Sequence, residues 1–133
     1  MNYLVGLPAF ALYFVLSSAL LAVYCAAYTR LTRHDEMALI RAGCTPAAIA
    51  YTGSILGFAL PLASAVAHSV ALLDCLLWGL IALGVQCGVY LGLRRWCMPD
   101  ISERIERGET AAGTLLAGAS LATGLLNAAS MSY

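Results

Sequence analysis

The chain has 133 residues, of which 62 % are hydrophobic and only 11 % charged, with no lysine and a formal net charge of zero. Soluble globules carry roughly 25 % charged and about 45–50 % apolar residues, so the composition excludes an ordinary soluble domain. With no basic surplus, it also argues against a nucleic-acid partner. All seven arginines and six of the seven acids fall within Arg30–Arg41 and Arg94–Glu109; Asp74 stands alone. The remainder forms four apolar runs, Leu4–Tyr28, Pro46–Ala67, Val70–Leu93 and Ala111–Met131. Each has about 20 residues or more, the length at which a helix rising ~1.5 Å per residue crosses a ~30 Å hydrocarbon core. The predicted fold is therefore all-α, a single transmembrane domain of four membrane-spanning helices with a lipid bilayer as its solvent.

The first run has no positive residue before it, since Arg30 follows the apolar stretch; it reads as a retained helix rather than a cleaved signal. In the first charged segment Asp35 is placed to N-cap a short helix, Ile40 to give it an apolar contact, and Gly43 to end it in the left-handed conformation. Thr45 is then expected to cap the second membrane helix, with Pro46 in its first turn. Such a short helix would lie along the membrane surface, the alternative being a solvated loop. The second membrane helix carries the stripe Gly53, Gly57, Pro61, Ser64 and His68. Pro61 removes a backbone donor and presses on the carbonyl of Gly57, so a kink is predicted there.

Beyond the His68–Ser69 turn, Asp74 has two readings. It N-caps the third helix, or it sits one turn inside a helix beginning at Val70 and pairs with His68 as a proton-sensing site. The third helix presents Gly84, Gly88 and Gly92 at four-residue spacing. The second charged segment repeats the pattern of the first, with Asp100 and Glu103 as a carboxylate capping box, Ile105, Gly108 as the stop and Thr110 as the next cap. The fourth helix offers Gly113, Ala117, Gly118, Ser120 and Gly124 as small residues, with Thr123, Asn127 and Ser130 as further polar ones. Gly53, Gly57, Gly84, Gly88, Gly92, Gly118 and Gly124 are the predicted helix-packing positions, within a protomer or between protomers of a homo-oligomer. Asn127 either joins Ser64, His68 and Asp74 in a polar path or ion site, or satisfies the carbonyl freed by Pro61.

Displacing the sequence by 65 residues aligns Arg30 with Arg95, Asp35 with Asp100, Gly43 with Gly108, Thr45 with Thr110 and Gly53 with Gly118. The implied units are residues 1–68 and 69–133, two hairpins of the same topology related by an axis along the membrane normal. Arginine placement predicts both charged segments to be cytoplasmic and both termini to be outside. In this frame Tyr24, Tyr28, Tyr51, Tyr90 and Trp96 mark the arginine-side interface, and Tyr3, Trp78 and Tyr133 the opposite one. The charge runs read as solvated faces. The five cysteines have no motif spacing, so no metal site, disulfide or cofactor is expected. No catalytic set or phosphate loop appears, which argues against an enzyme. The ion-carrying membrane carboxylate of a rotor-ring hairpin and the helix-one acid of small multidrug carriers are also missing.

The stretches YTRLTRHDEMALIRAG, LGFALPLASAVAHSVALLD and PDISERIERGE, with the closing GLLNAASMSY, resemble the YjfL-like family of small bacterial inner-membrane proteins over essentially the whole chain. The resemblance implies two tandem copies of domain of unknown function 350, each giving two membrane helices, and brings no catalytic or ligand residues with it. It also implies a link to envelope homeostasis through PspA-like membrane-stress proteins. Two functions are compatible with the residues: a non-enzymatic, oligomeric membrane-assembly or envelope-stress component, and a small ion channel or transporter with its polar site in the outer half.

Overall fold

The computed structural model describes residues 3–32 and 34–131; Tyr133 and Arg33 lie outside that set. The chain forms four long helices, α1 (Tyr3–Leu31), α3 (Thr45–His68), α4 (Leu72–Gly92) and α6 (Thr110–Ser130). Between them are two six-residue helices, α2 (Glu36–Arg41) and α5 (Ile101–Glu106), and a π-helical turn, Leu93–Cys97, that extends α4. Each long helix is long and apolar enough to cross a membrane, and among the described residues there is no strand.

Both short helices end in the same way. Gly43 and Gly108 sit at φ 85° and 84°, where a β-carbon is strained. Paired hydrogen bonds close each end: Gly43 N–H donates to Ile40 O and Cys44 N–H to Leu39 O, while Gly108 N–H donates to Ile105 O and Glu109 N–H to Arg104 O. The residue closing each motif, Cys44 or Glu109, is itself the flanking residue of the next long helix. Thr45 and Thr110 are thereby pushed into the first helical position and do not cap, contrary to the sequence reading. The two aspartates also differ. Asp35 has an extended backbone and accepts the Ala38 N–H at 3.2 Å. Asp100, at φ −97° and ψ 24°, makes no cap bond; its carboxylate takes the Arg104 Nε–H at 2.9 Å instead of completing a box with Glu103.

Packing centres on α3 and α6, which meet over their whole lengths. A β-carbon on Gly53 would run into Ala117, one on Gly57 into the Ser120 carbonyl, one on Gly113 into the Pro46 carbonyl, and one on Gly124 into the Gly57 carbonyl. Backbone therefore lies on backbone, as small residues permit in lipid. Pro61 lacks the N–H that Gly57 O would otherwise accept, yet α3 is continuous through it. The freed carbonyl rests on Gly124 rather than on Asn127, whose Nδ2 is buried without a hydrogen-bond partner. Cα–H···O contacts of this kind contribute about 0.5–1 kcal/mol each. Gln86 of α4 joins the seam by donating from Nε2 to Ser120 O at 3.2 Å.

Three predicted packing glycines are elsewhere. Gly84, Gly88 and Gly118 have nothing within 4 Å of an added β-carbon, so none of them packs inside the protomer; Gly92 meets only the Trp96 ring. In their place Gly79, not singled out by the sequence, admits Leu20 of α1. Helix α1 rests on α4 and α3, leaving Leu4, Leu7, Phe10 and Phe14 exposed.

The aromatic residues also depart from the expected belt. Tyr24, Tyr28 and Tyr90 are fully buried, because Tyr24 stacks on Phe58 at 4.5 Å and Tyr28 on Tyr51 at 5.8 Å, with Tyr90 edge-on to Tyr28 at 5.6 Å. Trp96 alone of that group is broadly exposed, at 77 %. The seam makes a direct prediction. Gly124→Val forces a branched side chain onto the Gly57 carbonyl and should cost about 1–3 kcal/mol in reversible unfolding by SDS followed by circular dichroism. Gly84→Ala, facing open space, should change the same measurement by less than ~0.5 kcal/mol.

Candidate functional site

Polar side chains gather at both ends of the bundle. At the end opposite the arginines, Ser64, His68, Ser69, Asp74, Trp78 and Met131 line a cavity of about 10 Å³, room for about one water. Its groups are largely engaged with nearby backbone. Ser64 Oγ donates to Ala128 O at 3.1 Å, His68 Nδ1 bonds Ser64 O at 2.9 Å, and Asp74 Oδ2 accepts the Val70 N–H at 3.2 Å. Helix α4 begins at Leu72, so Asp74 lies within its first turn instead of capping it. It reaches back over the preceding chain, and makes no ion pair with His68. Ser64, His68 and Asp74 are thus brought together, while Asn127 is not part of the lining.

A second cluster lies at the arginine end, in residues read from sequence as solvated. Thr32 closes α1, His34 follows in the connection, Glu36 opens α2 and Ser102 lies in α5; all four are buried. His34 Nδ1 bonds Ser102 Oγ at 3.0 Å, tying the two charged segments to each other. The Thr32 hydroxyl contacts Glu36 Oε1 and also lies 3.3 Å from the carbonyls of Thr29 and His34. With Glu36 ionised, one hydroxyl proton faces three acceptors; a proton on Glu36 Oε1 makes that oxygen a donor to the Thr32 oxygen and leaves the hydroxyl proton to the two carbonyls.

The electrostatics favour neutral groups here. Burial pushes the Glu36 carboxyl above its ordinary value, only partly offset by the Thr32 hydroxyl. Burial likewise pushes the His34 imidazole below its ordinary value, against the pull of the Glu106 and Asp35 carboxylates. His34 Nε2 is 3.4 Å from Glu36 Oε1, within ion-pair range, yet it is not aligned for a hydrogen bond and has no other partner. A neutral pair fits both shifts better than a buried ion pair, whose desolvation would have to be recovered by good geometry. Above the cluster, the buried hydroxyls of Tyr28 and Tyr90 also lack partners, while Tyr24 OH and Ser54 Oγ bond at 2.7 Å.

The sequence did contain a trace of this cluster. Thr32 and Glu36 are four residues apart, but adjacent charges at Arg33 and Asp35 made the segment look uniformly solvated. Among the described residues no group of three or more His, Cys, Asp or Glu is arranged to hold a metal ion.

A chain with four helices able to cross a membrane fits the comparison with known proteins. The family model described as Domain of Unknown Function (DUF350) matches residues 2–131. The chain belongs to the DUF350 family. The UPF0719 inner membrane protein YjfL of Escherichia coli strain K12 is 39 % identical over 133 residues, covering 100 % of both chains. The YjfL protein of Escherichia coli O157:H7 gives the same identity and coverage. No solved structure matches. This DUF350 chain is thus a multi-pass inner-membrane protein.

For this DUF350 protein the Glu36 shift fixes a sign. A folded-state value raised above the ordinary carboxylate value of 4.5 means that burial is tolerated at low pH. Stability is lost as pH rises through the folded value. The stability difference between Glu36→Gln and wild type should therefore move in favour of the variant from about pH 4.5 upward and level off once wild-type Glu36 ionises. SDS-unfolding titrations across pH check this; a difference independent of pH contradicts it. The His34 shift has the opposite sign, with stability lost as pH falls below 6.5.

Proposed function

We propose that this protein is a non-enzymatic membrane-assembly component that works as a homo-oligomer. The observation carrying this reading is the division of its glycines. Gly53, Gly57, Gly113 and Gly124 are used up between α3 and α6, whereas Gly84 and Gly88 form an unfilled notch on the outer face of α4. Leu77, Leu80, Ile81 and Leu91 flank that notch and are exposed. In lipid, apolar burial gives no net drive to association, so close approach at small residues supplies it. A second copy fits such a notch better than disordered acyl chains do.

The same reading places the arginine end in the cytoplasm and both termini in the periplasm, on the arginine distribution. It treats residues 1–68 and 69–133 as two parallel units, supported by the matching ends of α2 and α5. With α2 and α5 at the cytoplasmic face, a PspA-like membrane-stress partner would meet the protein there. A channel needs a continuous polar lining, and the space beside Ser64, His68 and Asp74 has room for about one water.

Native mass spectrometry of protein released from lipid nanodiscs tests the oligomer. Wild type should appear as a discrete oligomer, and Gly88→Leu should weaken it about tenfold, equivalent to ~1.4 kcal/mol. Phe14→Leu, on the exposed face of α1, should not. A wild-type monomer, or equal loss in both variants, contradicts the assignment.

A further inference from the structure

Charge pairing at the arginine end is uneven. Arg104 pairs with Asp100 at 2.9 Å and Arg107 with Glu109 at 3.2 Å. Arg30, Arg41, Arg94 and Arg95 make no ion pair among the described residues, and Arg94 and Arg95 share a cleft. That cleft, of about 430 Å³, is lined by Leu91, Arg94, Arg95 and Pro99. The π-helical turn Leu93–Cys97 builds it by carrying both arginines past the end of α4. Such turns frequently occur at functional sites.

The arginines are held differently. Arg94 donates from Nη1 to the Leu31 carbonyl at 3.1 Å and lies over the Tyr90 ring at 5.7 Å, so one face of its guanidinium is fixed against the bundle. Arg95 lies 5.8 Å from the Trp96 ring centre and is exposed. Leu91, at the apolar wall, is exposed on the membrane-spanning helix itself. Trp96 is the kind of exposed aromatic that sits at headgroup depth. Two cations without carboxylate partners therefore stand where an apolar, lipid-facing wall ends.

We propose that the cleft between Leu91, Arg94, Arg95 and Pro99 binds the phosphate of an anionic phospholipid, whose acyl chains run along the Leu91 side of α4. Guanidinium groups donate several N–H bonds to phosphate oxygens, and arginine suits this better than a point charge does. The apolar wall distinguishes a lipid from free phosphate, which would gain nothing from Leu91. Each protomer carries all four lining residues, so the cleft needs no second copy to complete it; Leu91 also borders the proposed oligomer face, and the bound lipid lies at the edge of that contact.

The test uses full-length protein in neutral detergent with added phosphatidylglycerol or phosphatidylcholine, and counts retained lipids per protomer by native mass spectrometry. Wild type should retain phosphatidylglycerol in preference to phosphatidylcholine. Arg95→Gln should lower that retention about fivefold, the effect of one basic group near an anionic surface. Arg104→Gln, whose parent arginine is already paired, should leave it unchanged. Arg94→Gln should weaken binding at least as much, but Arg94 also holds α1, so exposed Arg95 carries the test, with helicity checked by circular dichroism. Millimolar inorganic phosphate should not displace the lipid. Equal retention of both lipids, an Arg95→Gln variant that binds like wild type, or full displacement by phosphate would each overturn the proposal.

Discussion

The carbonyl of Gly57 is the point on which the structure turns. Pro61 strips it of its helical donor, and a carbonyl left bare in hydrocarbon is costly. The bundle resolves this by laying Gly124 of α6 directly over it, which only a residue without a side chain allows. Gly57 in turn faces the Ser120 carbonyl, and Gln86 of α4 donates to that same oxygen. The carbonyl freed by Pro61, the glycines that let α6 close on α3, and the amide of Gln86 thus meet at one level of the bundle.

With α3 and α6 joined so closely, the other two long helices have less to bury. Helix α1 leans on α4 and α3 through Leu20 and the tyrosines, and its remaining face is left to lipid. The arginine end of the bundle is rich in aromatic and polar groups: Tyr24 on Ser54, Tyr28 between Tyr51 and Tyr90, and the Thr32–Glu36–His34–Ser102 cluster beneath. That cluster couples the two charged segments. The proposed lipid cleft beside the π-helical turn and the proposed oligomer face on α4 therefore lie on an element tied to the rest of the bundle through Gln86, Tyr90 and Arg94.

Much of the architecture is legible in the sequence alone. Run lengths gave the four spans, and Gly43 and Gly108 marked the ends of both short helices, because left-handed glycine stops have a local cause. Thr45 and Thr110 fall one position past the cap because the stop and the next start share a residue, which spacing does not reveal. The roles of glycines depend on which helix faces which, so Gly84, Gly88 and Gly118 could not be told from Gly53, Gly57 and Gly124 by periodicity. Asn127 looked like the partner of the freed carbonyl because it is polar; a glycine serves there by letting backbone approach. The buried His34–Glu36 pair is hidden by charged neighbours, since the bond that ties His34 to Ser102 of α5 spans 68 residues of sequence.

The glycines divide into a set spent inside the protomer and, as proposed, a set on α4 that faces a second copy. Single cysteines placed along α4 at Leu77, Leu80, Ile81, Gly84, Val85, Gly88 and Leu91, in a background with Cys25, Cys44, Cys75, Cys87 and Cys97 replaced by alanine, test it most directly in native membranes. Cross-linking between copies should peak at Gly84→Cys and Gly88→Cys, persist at the flanking Leu77→Cys and Leu80→Cys, and fall away at Val85→Cys, following the turn of the helix. A flat profile, or no cross-linked dimer at any position, would contradict the claim and leave the notch on α4 to lipid.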